Sequence, residues 1–99
     1  MKKENNLSKK ISILRDFQTI PGVGKSIASD LYELGIRTPL ELRNINPEKL
    51  YDRLCNFKGV RVDRCMLYVF RCAVYYVSNA KHDPQLLLWW NWKSAGGKN

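Results

Sequence analysis

The stretch with the clearest chemical content is Ile20-Pro21-Gly22-Val23-Gly24-Lys25-Ser26-Ile27-Ala28-Ser29-Asp30-Leu31. Two glycines bracket one apolar residue, a proline precedes them, and a helical pattern starts directly afterwards. Glycine reaches positive φ and lets another backbone come close. Pro21 fixes its own φ and keeps Ile20 extended, so the chain must turn sharply here. Ile27, Leu31 and Leu34 then recur at spacings of four and three, one face of a helix. A tight turn feeding a helix leaves unpaired N–H groups at the positive end of the helix dipole. Gly22, Val23, Gly24, Lys25 and Ser26 therefore form a candidate anion site.

Covalent chemistry has no comparable constellation. Asp30 and Glu33 share a helix face, but no histidine or third carboxylate converges with them, and a solvated face is expected. Ser26 and Ser29 have no base to activate them. His82 stands alone beside Asp83 and reads as a surface-loop residue. Cys55, Cys65 and Cys72 lie in apolar surroundings without C-x-x-C spacing or histidine partners, so buried, reduced thiols are expected rather than zinc ligands. The expectation is a protein that is not an enzyme and requires no cofactor.

The elements that must position the turn are all helical. Ile11, Leu14 and Phe17 step by three behind Ser8, a candidate N-cap, which gives a helix over 8–17 after a loose 1–6. The helix after the turn closes at Gly35, placed to adopt the left-handed C′ conformation. Thr38-Pro39-Leu40-Glu41 has the makings of a capping box opening a short connector over 38–45, and Asn46-Pro47 opens the next helix, with Leu50, Tyr51 and Leu54 on its inner side. Gly59 breaks that pattern. From Val62 to Ser78 nothing interrupts a helix apolar on most sides, which predicts a central, buried element. Arg61, Arg64, Tyr68 and Arg71 make up its remaining side, a basic stripe with one aromatic. Over 83–93, Asp83-Pro84 introduces Trp89, Trp90 and Trp92, expected as a short helix strapped across the core; an exposed contact patch is the alternative. The segment 94–99 is expected to be flexible.

Charge separates the chain into zones. Lys and Arg number 17 against 9 Asp and Glu, a net charge of +8. Residues 1–25 carry +4, 26–52 carry −2, 53–71 carry +4 and 72–99 carry +2. The positive zones coincide with the glycine turn and with Lys58-Gly59-Val60-Arg61, which points to a polyanion partner. No apolar run is long enough to span a bilayer and no secretory h-region follows the basic start, so a cytoplasmic protein with no membrane partner is expected.

Sliding the chain on itself by 37 positions sets Phe17, Ile20, Gly22, Val23, Ala28 and Leu31 against Leu54, Phe57, Gly59, Val60, Cys65 and Tyr68. Pro21 becomes Lys58 and Gly24 becomes Arg61, so a second, degenerate copy of the turn and its flanking helices is expected over 47–79, after the first over 8–36.

Leu14-x-x-Phe17-x-x-Ile20-Pro21-Gly22-Val23-Gly24-x-x-x-Ala28-x-x-Leu31-x-x-Leu34-Gly35-Ile36-x-Thr38 resembles the helix-hairpin-helix of DNA repair and recombination proteins. With its Trp-Trp-Asn-Trp-Lys tail at 89–93, the chain is similar to the small bacterial "pathogenicity locus" helix-hairpin-helix proteins. The resemblance implies a single all-α domain over 1–99, with tandem hairpins. It also implies non-sequence-specific binding of double-stranded DNA, as an accessory to repair or processing. Amides of Gly22, Gly24, Lys25 and Ser26 would donate to phosphate oxygens, contacts that carry affinity but read no bases. In some members the hairpin holds a monovalent cation, which here would place K+ or Na+ on the carbonyls of Gln18, Ile20 and Val23. Glycosylases with this motif use a downstream catalytic Asp on a larger body, for which this chain has no room. Lys58, Gly59, Val60, Arg61, Arg64 and Arg71 form the secondary DNA-binding set, or else a packing unit with a basic edge. The alternative to DNA binding is a protein-interaction module that uses the tryptophan tail.

Overall fold

The computed structural model describes residues 2–93. Those residues form four α-helices, α1 (Lys2–Phe17), α2 (Lys25–Glu33), α3 (Pro47–Lys58) and α4 (Cys65–Ser78). Three short 3-10 turns, Pro39–Leu42, Pro84–Leu87 and Trp89–Trp92, complete the described chain, and it contains no strand. The all-α expectation holds. The expected flexibility of 94–99 lies outside the described residues.

Boundaries follow local chemistry. α1 starts at Lys2 rather than at Ser8, because Lys2, Lys3 and Glu4 favour helix and nothing before Ser8 breaks it, so Ser8 is an interior residue and not a cap. The Gly35 expectation is met: with φ +93° it ends α2 in a Schellman motif, its N–H donating to the Tyr32 carbonyl at 3.0 Å and the Ile36 N–H to Leu31 at 3.1 Å. Leu31 and Ile36 are both buried there. The 38–45 connector contracts to the four-residue turn Pro39–Leu42, and its capping box is altered. Glu41 reaches the Arg37 N–H, and the Thr38 hydroxyl bonds the Glu41 carboxylate instead of a backbone amide (both 3.4 Å). Asn46 caps α3 as expected, accepting from the Glu48 and Lys49 amides at 2.9 and 3.2 Å. Gly59, φ +73°, closes that helix.

One core holds the elements together. Phe17, Ile20, Val23, Ala28 and Leu31 from the first half meet Leu42, Leu50, Tyr51, Leu54, Leu67, Val69, Phe70 and Ala73 from the second. α4 sits at the centre, against α3, Pro39–Leu42 and both C-terminal turns, while α1 packs on α2. The expected strap is two 3-10 turns rather than one helix, joined at Leu88 in an extended conformation. Trp92 donates its indole N–H to the Leu86 carbonyl at 2.8 Å, and Asn91 bonds the Gln85 carbonyl at 2.8 Å, which folds the strap onto itself.

The second unit departs from the 37-residue register. α3 ends 41 residues after α1, and α4 begins 40 residues after α2. Phe57 and Val60, aligned with the buried Ile20 and Val23, are exposed. Tyr51 donates its hydroxyl to the Val62 carbonyl, and the Val62 N–H bonds the Cys55 sulfur at 3.4 Å, so Val62 is held in the connection and α4 starts later than the apolar pattern suggests.

Candidate functional site

The turn between α1 and α2 unwinds α1 through short bonds, Ile20 N–H to Phe17 at 3.0 Å and Val23 N–H to Ile20 at 3.0 Å. Gly22 has φ +86°, a conformation that an L side chain strains to adopt. Ile20 and Val23 point into the core, leaving Gly22, Gly24, Lys25 and Ser26 exposed. Gly24 is the N-cap of α2 and supplies no side-chain cap. The first intrahelical donor is the Ala28 N–H, to Gly24 at 2.9 Å. The amides of Gly24, Lys25, Ser26 and Ile27 therefore have no partner among the described residues.

Open space surrounds Gly24: a Cβ built there meets nothing within 4 Å. Lys25, the first residue of α2, lines a depression of about 380 Å³ with Arg15, Ile11, Leu14 and Gln18 of the first helix and turn. The opposite end of α2 is also matched in charge, since Arg37 donates to the Tyr32 carbonyl at 2.7 Å and Arg53 to Leu34 at 2.6 Å. Only the positive end is left without a counterpart.

Gly22 is covered on one side. A Cβ there would lie 3.2 Å from Trp89 Cδ1 and 3.5 Å from its Cβ, so the strap rests directly on the turn. Trp89 and Trp90 meet edge to face, ring centres 5.6 Å apart. Trp89 and Trp92 are half-buried, and Trp90 alone of the three indoles is exposed, at 54%. This contact between residues 67 apart carries no local sequence signal.

The residues of the second turn do not repeat the first. The start of α4 is filled by Asp63, which accepts the Cys65 N–H at 2.8 Å. That bond holds the Asp63 carboxyl below its ordinary range. Its spacing before the helix was a readable capping signal. The Cys65 thiol is held above its ordinary range, chiefly by hydrogen bonding to the neighbouring Asp63 carboxylate. Lys58 is committed to Asp30, 3.1 Å away. Arg71 is 6% exposed: its Nε and Nη2 bond Glu48 at 3.0 and 2.9 Å, and its Nη1 donates to the Trp92 carbonyl at 2.7 Å. Arg71 therefore leaves the expected basic stripe, because an interior guanidinium needs its donors satisfied and finds them on α3 and the strap. Arg61 and Arg64 remain exposed beside Gly59 and Val60.

Other expectations also change. Asp30 is buried at 7% exposure by its pairing with Lys58, rather than solvated beside Glu33. His82 is half-buried, stacked on Tyr76 with ring centres 4.7 Å apart and bonded to the Tyr76 carbonyl at 2.8 Å. Cys72 is buried, its thiol pushed up to about 11 by desolvation, and Cys55 is half-buried, but Cys65 is exposed. Among the described residues no three His, Cys, Asp or Glu converge as a metal group, and no helix is long and apolar enough to cross a membrane. At the expected cation position, the Ile20 carbonyl already accepts from Val23, whereas those of Gln18 and Val23 accept no hydrogen bond among the described residues.

The Asp63 cap has a pH signature. Because the folded carboxyl is depressed, its contribution is complete above the unfolded carboxylate range, near pH 4, and is lost as pH falls through the folded value. Asp63→Ala is expected to lower the urea midpoint at pH 7, and the gap to the wild type should close progressively below about pH 4. Paired urea melts at pH 7 and pH 3 measure it; an equal gap at both would mean that the carboxylate charge is not what caps α4.

The family described as Cdd1, pathogenicity locus, matches residues 10–98, and the chain belongs to that family. Among curated proteins it is similar to the mitomycin resistance protein McrB of Streptomyces lavendulae, 31% identical over 77 residues that cover 78% of this chain and 70% of that one. No solved structure matches it significantly.

Proposed function

We propose that this protein is a non-enzymatic, non-sequence-specific binder of double-stranded DNA, acting as an accessory to repair or processing. In this reading α1 and α2 form a helix-hairpin-helix whose α2 amides receive a phosphate, and α3 and α4 form a divergent second one. The observation that carries it is the set of amides from Gly24 to Ile27, uncapped and without a partner among the described residues, at the exposed Lys25. Amides and a lysine recognise phosphate without reading bases, which suits a chain of net charge +8. The second turn supplies the side chains of Arg61 and Arg64, not an amide cradle, because Asp63 already occupies the start of α4. K+ or Na+ on the Gln18 and Val23 carbonyls would be an accessory to the first turn. The name of the Streptomyces relative records resistance to mitomycin, a phenotype that names no binding partner.

Gly24→Val is the direct test, since a Cβ there has open space around it and the branched side chain would shield the amides. Fluorescence anisotropy with two unrelated duplexes should show about tenfold weaker binding for both at a temperature where the variant is fully folded, since valine is a poorer N-cap than glycine and will lower the melting temperature. Wild-type affinity should fall with salt at a log–log slope near −3.6 if about four phosphates are engaged. Undiminished duplex binding by the variant would overturn the reading. A protein-docking role for the three-tryptophan tail is less supported, because Trp89 and Trp92 are half-buried and only Trp90 of the three is exposed.

A further inference from the structure

The Val23 N–H bonds the Ile20 carbonyl at 3.0 Å and Gly22 has φ +86°, so Ile20-Pro21-Gly22-Val23 is a type II turn. Pro21 excludes the I′ form, because its ring holds φ negative. Glycine still allows the type I alternative, reached by flipping the peptide between Pro21 and Gly22. That flip reverses the Gly22 N–H, which has no partner among the described residues. The buried side chains of Ile20 and Val23 pin the two ends of the turn, not the peptide between them. Hydrogen bonds made by residues 18–24 reach only residues 14–28 among the described residues, so none ties that peptide to the second half of the fold.

Trp89 is what meets it. A Cβ placed on Gly22 would lie 3.2, 3.5 and 3.6 Å from Trp89 Cδ1, Cβ and Cγ, so three atoms of one side chain stand against this glycine. Of the three tryptophans, Trp89 is the one packed against the core. The strap that carries it is held from α4, where Arg71 donates to the Trp92 carbonyl at 2.7 Å and the Cys72 thiol to the Leu86 carbonyl at 3.5 Å. The Trp92 indole closes back on the same Leu86 carbonyl at 2.8 Å. Gly22 therefore rests on a fixed wall, which restricts a residue that has no side chain to restrict itself.

We infer that Trp89 is a positioning residue for the first turn. It holds the Pro21–Gly22 peptide in the type II orientation, so that the Gly22 N–H and the amides from Gly24 onward are set for phosphate before DNA arrives. This rests on the phosphate-binding reading of that turn and adds the residue that preorganises it. Donors already in place lose less conformational entropy on binding, so the same contacts give a higher affinity. Trp89 acts through Gly22 and needs no contact with DNA.

The test uses the full chain with Trp89→Ala, Trp89→Phe and Gly35→Ala, each at a temperature where it is fully folded. By fluorescence anisotropy, Trp89→Ala should bind a mixed-sequence duplex about tenfold more weakly than the wild type. Phenylalanine keeps counterparts of the Cβ, Cγ and Cδ1 atoms nearest Gly22, so Trp89→Phe should recover most of the loss. Gly35→Ala strains the opposite end of α2 and should lower the melting temperature without weakening duplex binding. A released turn also opens its Ile20–Val23 bond more often. Without DNA, the Val23 amide of Trp89→Ala should exchange with solvent about tenfold faster than in the wild type, beyond any change in the α3 amides. A role in stability alone would quicken both sets together and would overturn the inference, as would an equal loss of affinity in Gly35→Ala. Duplex binding that depends on Gly24 but ignores Trp89 would sink the inference and leave the phosphate reading standing. Selective quickening at Val23 in a protein that binds no duplex would sink the phosphate reading and keep the hold of Trp89 on the turn.

Discussion

Gly22→Ala is expected to lower the melting temperature by about 10 °C, on the order of 2 kcal/mol in a domain of this size. Two effects add. At φ +86° an L residue is strained by about 1–2 kcal/mol, and the new Cβ would stand 3.2 Å from Trp89 Cδ1, closer than side chains normally sit. The neighbour that must yield is an indole, fixed by its own packing, rather than the end of a flexible chain. Gly35→Ala is the control, because its φ is +93° but open space surrounds its Cβ position, so it suffers the backbone strain alone. The difference between the two variants measures the strap contact. In Trp89→Ala that difference should disappear, and a double-mutant cycle isolates it. Gly22→Ala should also shift tryptophan emission to longer wavelength as the strap lifts, which Gly35→Ala should not do. Equal losses for the two glycines with no emission change would mean that the strap does not bear on the turn.

Much of this arrangement is written locally and was readable. Gly35 ends α2, Asn46-Pro47 begins α3, Gly59 ends it, and the apolar run after Val62 becomes the central helix, because each depends on residues within one turn of each other. The glycine turn was readable for the same reason: Ile20 and Val23 must go inside, which leaves the amides after Gly24 outside. Long-range pairings were not readable. Asp30 looks like any helical surface acid until Lys58 arrives from the end of α3, 28 residues away. The 37-residue register matched residue types but not burial, since Phe57 and Val60 emerge where Ile20 and Val23 are buried. In the second turn, Tyr51 and Cys55 hold Val62 in the connection, and Asp63 then caps α4. The two helix starts differ in their capping: the first amides of α2 have no partner among the described residues, whereas α4 begins beside the Asp63 carboxylate.

Arg71→Ala is expected to destabilise the protein by about 2–4 kcal/mol, through the loss of buried packing and of the bonds to Glu48 and Trp92. Glu48→Ala should cost less, about 1–2 kcal/mol. The Glu48 side chain is 52% exposed, so water can reach the abandoned guanidinium and screening lowers the value of the pair. Arg71→Met should fall nearest the wild type, since it keeps much of the apolar stem and removes both the need for a counter-charge and the charge itself. The order distinguishes a structural arginine from a phosphate ligand. A structural Arg71 ties α4 to α3 and the strap, so its loss should lower the urea midpoint and shift tryptophan emission, with Arg71→Met largely rescuing both. The salt slope of duplex binding should then be the same in Arg71→Met as in the wild type. An arginine that neutralised a phosphate would behave in the opposite way: Arg71→Met would melt normally and lose about 0.9 from the slope. The geometry favours the first outcome, because Nε, Nη1 and Nη2 are all committed within the protein and the side chain has no exposed face to turn towards a phosphate.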